Sequence, residues 1–432
     1  MSFLLLDPKY AVYSKELVGG KASNLHEIIH AGLPVPSAFV ISVDECFQKD
    51  FTKEVHEPSS EFALKLQSHI RYLAMQTQYN WNSDYKPLLV SVRSGAPISM
   101  PGMMETVLNI GLTRDNLDAF VEGRGATRAF GLDCYRRLIQ MYGTTVDGIP
   151  AEAFSKVYKA AMLFYPELDE EANENLVRLF EEIYERETGR PFTNDPNEQL
   201  LSACNAVFRS WHSEKARVYR EIEGIPHDMG TAVTVQEMVF GNLDRRSATG
   251  VVFTHDPNNG ALGWYGDYLV GAQGEDVVAG THNVLHIDQI LQDEHLRKPG
   301  KDLQVTIGNL YHRHKTILDV EFTIESGKLW ILQYRKAKCS RQATIRSLMD
   351  MAREGSVSAT EGTRMMMELL PPIDRGTQDP GNLTLLGKGL GATEGTVVGQ
   401  IAIGREEARR CQAEGISYIY VAHETASDDV EQ

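Results

Sequence analysis

An α+β fold built from several units is what this sequence predicts, and three observations carry the expectation. Residues 115 to 225 read as largely helical. From Thr231 the pattern changes to short β-branched and aromatic runs typical of strands. A Gly/Pro-rich stretch at 376–395, entered through Pro371-Pro372, then marks a linker before a final segment in strand–helix–strand order. The chain has 432 residues, enough for roughly three domains, and its 42% apolar residues can fill more than one core.

The elements follow in chain order. Gly19-Gly20-Lys21 precedes the helical pattern Ala22 to Ala31. Glycines at a helix start leave backbone N–H groups free, and a lysine there can reach an anion; the same glycines can equally form a plain turn. Leu88 to Val92 is a short apolar run of the kind found in buried strands. It gives way to Arg93, Ser94, Gly95, Ser99, Pro101, Gly102 and the pair Met103-Met104. Small residues there let the backbone approach a ligand, and Arg93 can fork two donors onto phosphate oxygens. The methionines alone would read as core filler.

Leu176, Leu179, Phe180, Ile183 and Tyr184 recur at helical spacing, so Glu170 to Thr188 is an amphipathic helix whose acidic residues form its solvated face. Strands are expected at Ala232 to Val239, Gly250 to Thr254, Tyr268 to Val270, Asp319 to Ile324 and Leu329 to Gln333. Helical stretches follow at Ala343 to Arg353 and Ala359 to Leu370. Beyond the linker come Val397 to Ile403, Glu406 to Glu414 and Ile416 to Val421.

The two strands around Glu325-Ser326-Gly327 alternate with period two, as a hairpin does. A two-residue Ser326-Gly327 loop would pair Glu321 with Leu332 and throw Gln333 onto the opposite face. A three-residue loop with Gly327 in the left-handed third position would pair Ile324 with Lys328. Asp319, Glu321, Ile331, Gln333 and Arg335 would then share one face. We expect Glu321 and Gln333 on the same side, with Gly327 at positive φ. Oxygen ligands beside an arginine suit a magnesium–phosphate cluster, because magnesium prefers carboxylate, carbonyl and phosphate oxygens.

Composition excludes several classes. A net charge of −16 argues against a nucleic-acid or membrane-surface binder. No window approaches the ~18 consecutive apolar residues of a membrane span. Asp7-Pro8 ends the apolar start, and no basic leader precedes it, so no secretory signal is expected. The 5 cysteines are scattered without a CxxC pair, which fits a reducing, cytoplasmic setting. There is no GxxxxGK[ST] motif, and Gly387-Lys388-Gly389-Leu390-Gly391 lacks the strand and helix of a dinucleotide fingerprint. An acidic chain that holds a polyanion must gather local positive charge, and Lys21, Arg93 and Arg335 can supply it.

The stretches LVGGKASNL, LLVSVRSGAPISMPGMMETVLNIGL, YRRLIQMYG, AVFRSWHSEKARVYR, GTAVTVQEMVFGN, ATGVVFTHDP, AQGEDVVAG and DVEFTIESGKLWILQYR resemble, in order, the N-terminal part of the pyruvate, phosphate dikinases. The resemblance covers about residues 15 to 335. It implies an ATP-grasp nucleotide-binding fold with a helical insertion, followed by a helical linker and a partial swivelling β/α domain. The segments expected are 1–110, a mainly helical 111–225, 226–340, a helical linker at 341–388, and 389–432. In that family the ATP domain pyrophosphorylates a histidine on a swivelling domain, which carries the phosphoryl group to a distant pyruvate site.

Carried over by motif, the resemblance makes Lys21 and Arg93 phosphate contacts and places Gly102, Met103 and Thr106 in the loop covering the phosphates. It makes Gln236, Glu237, Met238 and Val239 the adenine-holding strand and hinge, and brings Glu275 to the ribose. Asp319, Glu321 and Gln333 fall on the magnesium side, with Arg335 beside them; Lys21, Arg93 and Arg335 are the catalytic cations. The ligands implied are ATP and Mg2+.

Departures accompany the match. His255-Asp256 stands where the family usually has arginine-asparagine, Lys336-Ala337-Lys338-Cys339 replaces a glycine-containing stretch, and Thr393-Glu394-Gly395 replaces serine-proline-glycine. The family's phosphohistidine motif is expected beyond Gln432. The chain is therefore expected to form no phosphoenolpyruvate by itself. Two functions follow: an ATP-dependent phosphotransferase region acting on a histidine domain in cis beyond Gln432 or in trans, or a catalytically silent ATP-binding regulatory or remnant module. The full phosphate and metal set favours the first.

Overall fold

The computed structural model describes residues 3–48, 60–100, 102–165, 168–274, 276, 284–369 and 398–421. The 376–395 linker, the Gly387–Gly391 stretch, Thr393-Glu394-Gly395 and Glu275 lie outside the described residues. Helix and strand mix as expected for an α+β chain.

The strands, in chain order, are β1 (Phe3–Leu5), β2 (Ala38–Ile41), β3 (Val90–Gly95), β4 (Thr106–Ile110), β5 (Ala232–Glu237), β6 (Ala248–His255), β7 (Leu262–Val270), β8 (Leu285–His286), β9 (Leu318–Glu325), β10 (Lys328–Lys336), β11 (Gln400–Ile403) and β12 (Tyr418–Val421). Helices used below are α1 (Lys15–His30), α2 (Glu61–Gln76), α3 (Leu117–Arg124), α4 (Arg128–Thr145), α5 (Ala151–Phe164), α6 (Glu170–Thr188), α7 (Pro196–Ser210), α8 (Glu214–Glu223), α9 (Arg297–His314), α10 (Arg341–Arg353), α11 (Ala359–Leu369) and α12 (Gly404–Ala413).

Two five-stranded sheets carry the molecule, ordered β1-β2-β5-β3-β4 and β10-β9-β6-β7-β8. Every pairing within them is antiparallel. The strands of the first sheet are covered on both faces, so they read as apolar runs rather than as alternating ones. Phe39 and Ile41 point into a core with Val233 and Val235, where α4, α6 and α7 pack. Ala38 and Val40 point the other way, into a core shared with α1, α9 and the second sheet.

Helix α6 spans the residues expected from its periodicity, with the Asp169 side chain accepting from Ala172 N–H at 2.9 Å and Gly189 left-handed at its end. Strand β3 departs from expectation. It runs past Val92 to Gly95, because β5 and β4 flank it and pair Arg93 with Thr234 and Thr106. Arg93 is therefore inside a strand, held by neighbours on both sides. The expected 226–340 segment needs a second correction. Its first strand, β5, lies at the centre of the first sheet between β2 and β3, so the second sheet takes its first strand from Ala248. After α10 and α11, the strand–helix–strand segment forms as a parallel β11–β12 pair, and among the described residues these strands pair only with each other.

Candidate active site

The cleft is built from the hairpin upward. Its turn is the two-residue one: Lys328 pairs with Glu325, with Ser326 at φ 48 and Gly327 at φ 80. Of the two turns open to the sequence, the three-residue loop is therefore ruled out, while Gly327 is at positive φ as expected. The shared face survives because the register shifts between Ile331 and Gln333, a bulge that sets Gln333 opposite Glu321 and Arg335 opposite Asp319. Contacts outside the hairpin accompany both features. Gly327 N–H donates to Arg246 O and Ser326 N–H to Ser247 Oγ, each at 2.9 Å, pinning the turn. Ile331 N–H donates to Pro34 O at 2.8 Å on the outer edge of β10, just before Leu332, the residue the register skips. Ile331, expected on the polar face, instead pairs with Phe322 and is buried in the core.

The glycines of α1 set the opposite wall. Gly19 has φ 74 and ψ 161, a conformation open essentially to glycine alone, and it kinks the helix there. A Cβ at Gly19 would lie 1.6 Å from the carbonyl oxygen of Gly95. Gly20 N–H donates to Ala96 O at 2.9 Å. This close approach delivers Lys21 beside the end of β3, where its Cβ is 3.5 Å from the Cβ position of Gly95.

Between these walls lies a cavity of about 1030 Å³ that Lys21, Arg93, Asp319, Glu321, Gln333 and Arg335 all line. Gly102, Thr106, Gln236, Glu237, Met238 and Val239 line it too. Among the candidates with described positions, Met103 is the exception. It is buried in the core at 2% exposure, and its neighbour Met104 lines the cavity instead.

The cleft concentrates positive charge beside carboxylates. Burial, with Arg93 and Arg335 nearby, pushes Lys21 down to about 8, against the opposing pull of Glu321. Asp319 is pushed up to about 6, because burial outweighs the arginine that holds it. Arg335 Nε donates to both Asp319 carboxylate oxygens, at 2.9 and 2.7 Å. Among the described residues its terminal nitrogens make no bond, which leaves them for a ligand. Lys21 forms no ion pair among the described residues. Strongly shifted groups converging in a cleft are a signature of functional sites.

Several lining residues escaped the sequence reading. Met104, Met141, Phe253 and Leu332 supply an apolar wall. They come from a loop, a helix and two strands, so no local pattern joins them. Lys336 and Lys338, noted above only as departures, also line the cavity.

The family model described as pyruvate phosphate dikinase, AMP/ATP-binding domain, matches residues 57–298. Among curated relatives, pyruvate, phosphate dikinase of Rhizobium meliloti is 36% identical over 433 residues, covering 96% of this chain and 48% of its own length. The Clostridium symbiosum protein of the same name gives the same identity and coverage. The chloroplastic dikinase 1 of Oryza sativa is 37% identical, over 96% of this chain and 44% of its own. The chain thus spans about half the length of the curated relatives it matches. Among the described residues, no helix is long and apolar enough to cross a membrane.

Proposed function

Because the chain belongs to the pyruvate, phosphate dikinase family through its AMP/ATP-binding domain, we propose that the cleft binds Mg-ATP and primes its pyrophosphoryl group for transfer to a histidine on a swivelling domain. That domain lies in cis beyond Gln432 or in trans. The single observation that carries this reading is the convergence of Lys21, Arg93 and Arg335 with Glu321 and Gln333 on one cavity. The two sheets act as the halves of an ATP-grasp fold. The division at 110, 225, 340 and 388 is kept as part of the reading, with β5 assigned to the first half and 389–432 as the start of the swivelling domain.

In this reading the apolar wall and the 236–239 strand end receive the base, and Glu275 meets the ribose. Lys21 and Arg93 bind the phosphates from the first sheet, and Arg335 binds them from the second. Gly102 and Thr106 lie beside them on the loop, and Met104 takes the place expected of Met103. Asp319, which stays on the magnesium side with Glu321 and Gln333, also orients the Arg335 guanidinium through its two bonds. The residues present fit a magnesium ion: Glu321 and Gln333 offer oxygens across the hairpin, and such ions usually take one or two carboxylates plus substrate phosphates. When bound, magnesium supplies charge neutralisation on the phosphate oxygens. The cations stabilise the charge that develops on the transferred group, and the loop over the phosphates keeps water away.

The test is calorimetry with ATP and magnesium, followed by incubation with a histidine-bearing domain from a full-length relative. AMP release together with acid-labile phosphate on that domain supports the transferase reading. Tight ATP binding without transfer supports the silent module, and no ATP binding overturns both.

A further inference from the structure

The end of α3 reaches a part of the cleft wall that neither phosphate nor metal requires. Arg124 is only 2% exposed at its side chain, and its Nη1 lies 2.8 Å from the Glu325 carboxylate at the end of β9. Its Nη2 donates to the Met238 carbonyl at 3.3 Å. The guanidinium lies over the ring of Tyr79, 3.8 Å from its centre, with the Phe240 ring 5.0 Å away. Glu325 in turn accepts from Phe240 N–H at 3.0 Å. One buried cation thus ties the helical segment, the strand end after β5 and the second sheet together.

The consequence for the cavity follows from strand alternation. Met238 N–H goes to Leu89 O at 2.9 Å, Met238 C=O to Arg124, and Phe240 N–H to Glu325. All three point to one edge. Along an extended chain the next groups point oppositely, so Glu237 C=O and Val239 N–H face the other edge. Glu237 N–H does so already, donating to Ser37 O at 2.9 Å. The return bond, however, is made by the side chain: Ser37 N–H donates to the Glu237 carboxylate at 3.3 Å. Among the described residues, that leaves the Glu237 carbonyl out of the pairing. Glu237 and Val239 both line the cavity, and the edge they share carries the acceptor of one beside the donor of the other.

We propose that Arg124 is a positioning residue that fixes this acceptor–donor edge, and with it the preference for a base presenting a donor beside an acceptor, as adenine does and guanine does not. The inference rests on the nucleotide reading of the cleft. By holding the Met238 peptide, Arg124 sets the direction of Val239 N–H, because the two groups belong to one planar unit. Adenine offers its amino group to Glu237 C=O and its N1 to Val239 N–H. Guanine offers an oxygen and an N1–H at those places, so both contacts become mismatched.

The test uses the full chain and three magnesium-loaded probes, ATP, GTP and inorganic tripolyphosphate, titrated calorimetrically. Wild type should favour ATP over GTP. Arg124→Lys keeps the charge without the two-armed fork, and Arg124→Met removes the fork. In both, ATP affinity should fall about tenfold, the scale of one buried hydrogen bond, while tripolyphosphate affinity stays unchanged and the ATP-to-GTP ratio narrows. Arg124→Met leaves Glu325 buried without its cation, so Arg124→Met with Glu325→Gln serves as the folded counterpart, with the same expectation. An unchanged ATP-to-GTP ratio overturns the proposal, as does equal weakening of ATP and tripolyphosphate, which marks a merely structural residue. Wild type that binds tripolyphosphate without preferring ATP overturns the role of Arg124 and leaves the anion site standing. Wild type that binds none of the three removes the nucleotide reading and this role with it.

Discussion

Replacing Lys21 with methionine should make the unliganded protein more stable and weaken the nucleotide site. Lys21 falls from its usual 10.5 to about 8, through burial and two nearby arginines. At about 1.4 kcal/mol for each tenfold change in proton affinity, holding the charged lysine in the cleft costs up to roughly 3 kcal/mol. The sign is fixed by linkage. The folded-state value lies below the unfolded one, so between pH 8 and 10.5 the unfolded chain binds more protons, and stability rises with pH across that window. Below about pH 8 the full cost is present.

Lys21→Met keeps the aliphatic length and drops the charge. It should therefore gain about 1–3 kcal/mol at pH 7 in urea unfolding. Its advantage should shrink as pH rises through 8 toward 10.5. Calorimetry of the same variant should show ATP weakened by about 1.5–3 kcal/mol, the worth of a charged hydrogen bond. In wild type, ATP affinity should fall as pH rises through about 8, where the free cleft loses this charge. A variant that is less stable than wild type at pH 7, or whose advantage is the same at pH 7 and 10, would refute the reasoning.

Arg93→Ala should cost on the order of 1.5–3 kcal/mol in ATP binding, because the phosphate loses a charged, forked donor; equal affinities by calorimetry would remove Arg93 from the site. Glu321→Gln should flatten the dependence of ATP affinity on magnesium concentration while leaving magnesium-free binding intact, which a titration in chelator resolves. Gly19→Ala places a Cβ 1.6 Å from the Gly95 carbonyl at φ 74. It should lower stability by at least about 2 kcal/mol, read as a drop in the urea midpoint.

By itself the sequence determined the local elements and the types of residue at the site. Helix α6, the helical character of 115–225 and the strand–helix–strand end were legible because periodicity is a property of neighbours along the chain. The lysine after two glycines and the arginine at a strand were legible as candidate phosphate contacts, and the hairpin's alternating polar residues as candidate ligands of a hard cation. Only the tertiary structure decided how these pieces meet. Local alternation and Gly327 left two turns open, and the choice fell to the 244–247 loop, where Arg246 O and Ser247 Oγ hold the turn. The bulge that brings Gln333 opposite Glu321 accompanies a bond to Pro34, nearly 300 residues away in the chain. Met104 rather than Met103 faces the cavity because the core claims the other side chain. Strand β5 lies in the first sheet because β2 and β3 offer it two edges there. Pairings of this kind depend on groups distant in sequence, so no window of the chain contains the information that selects among them.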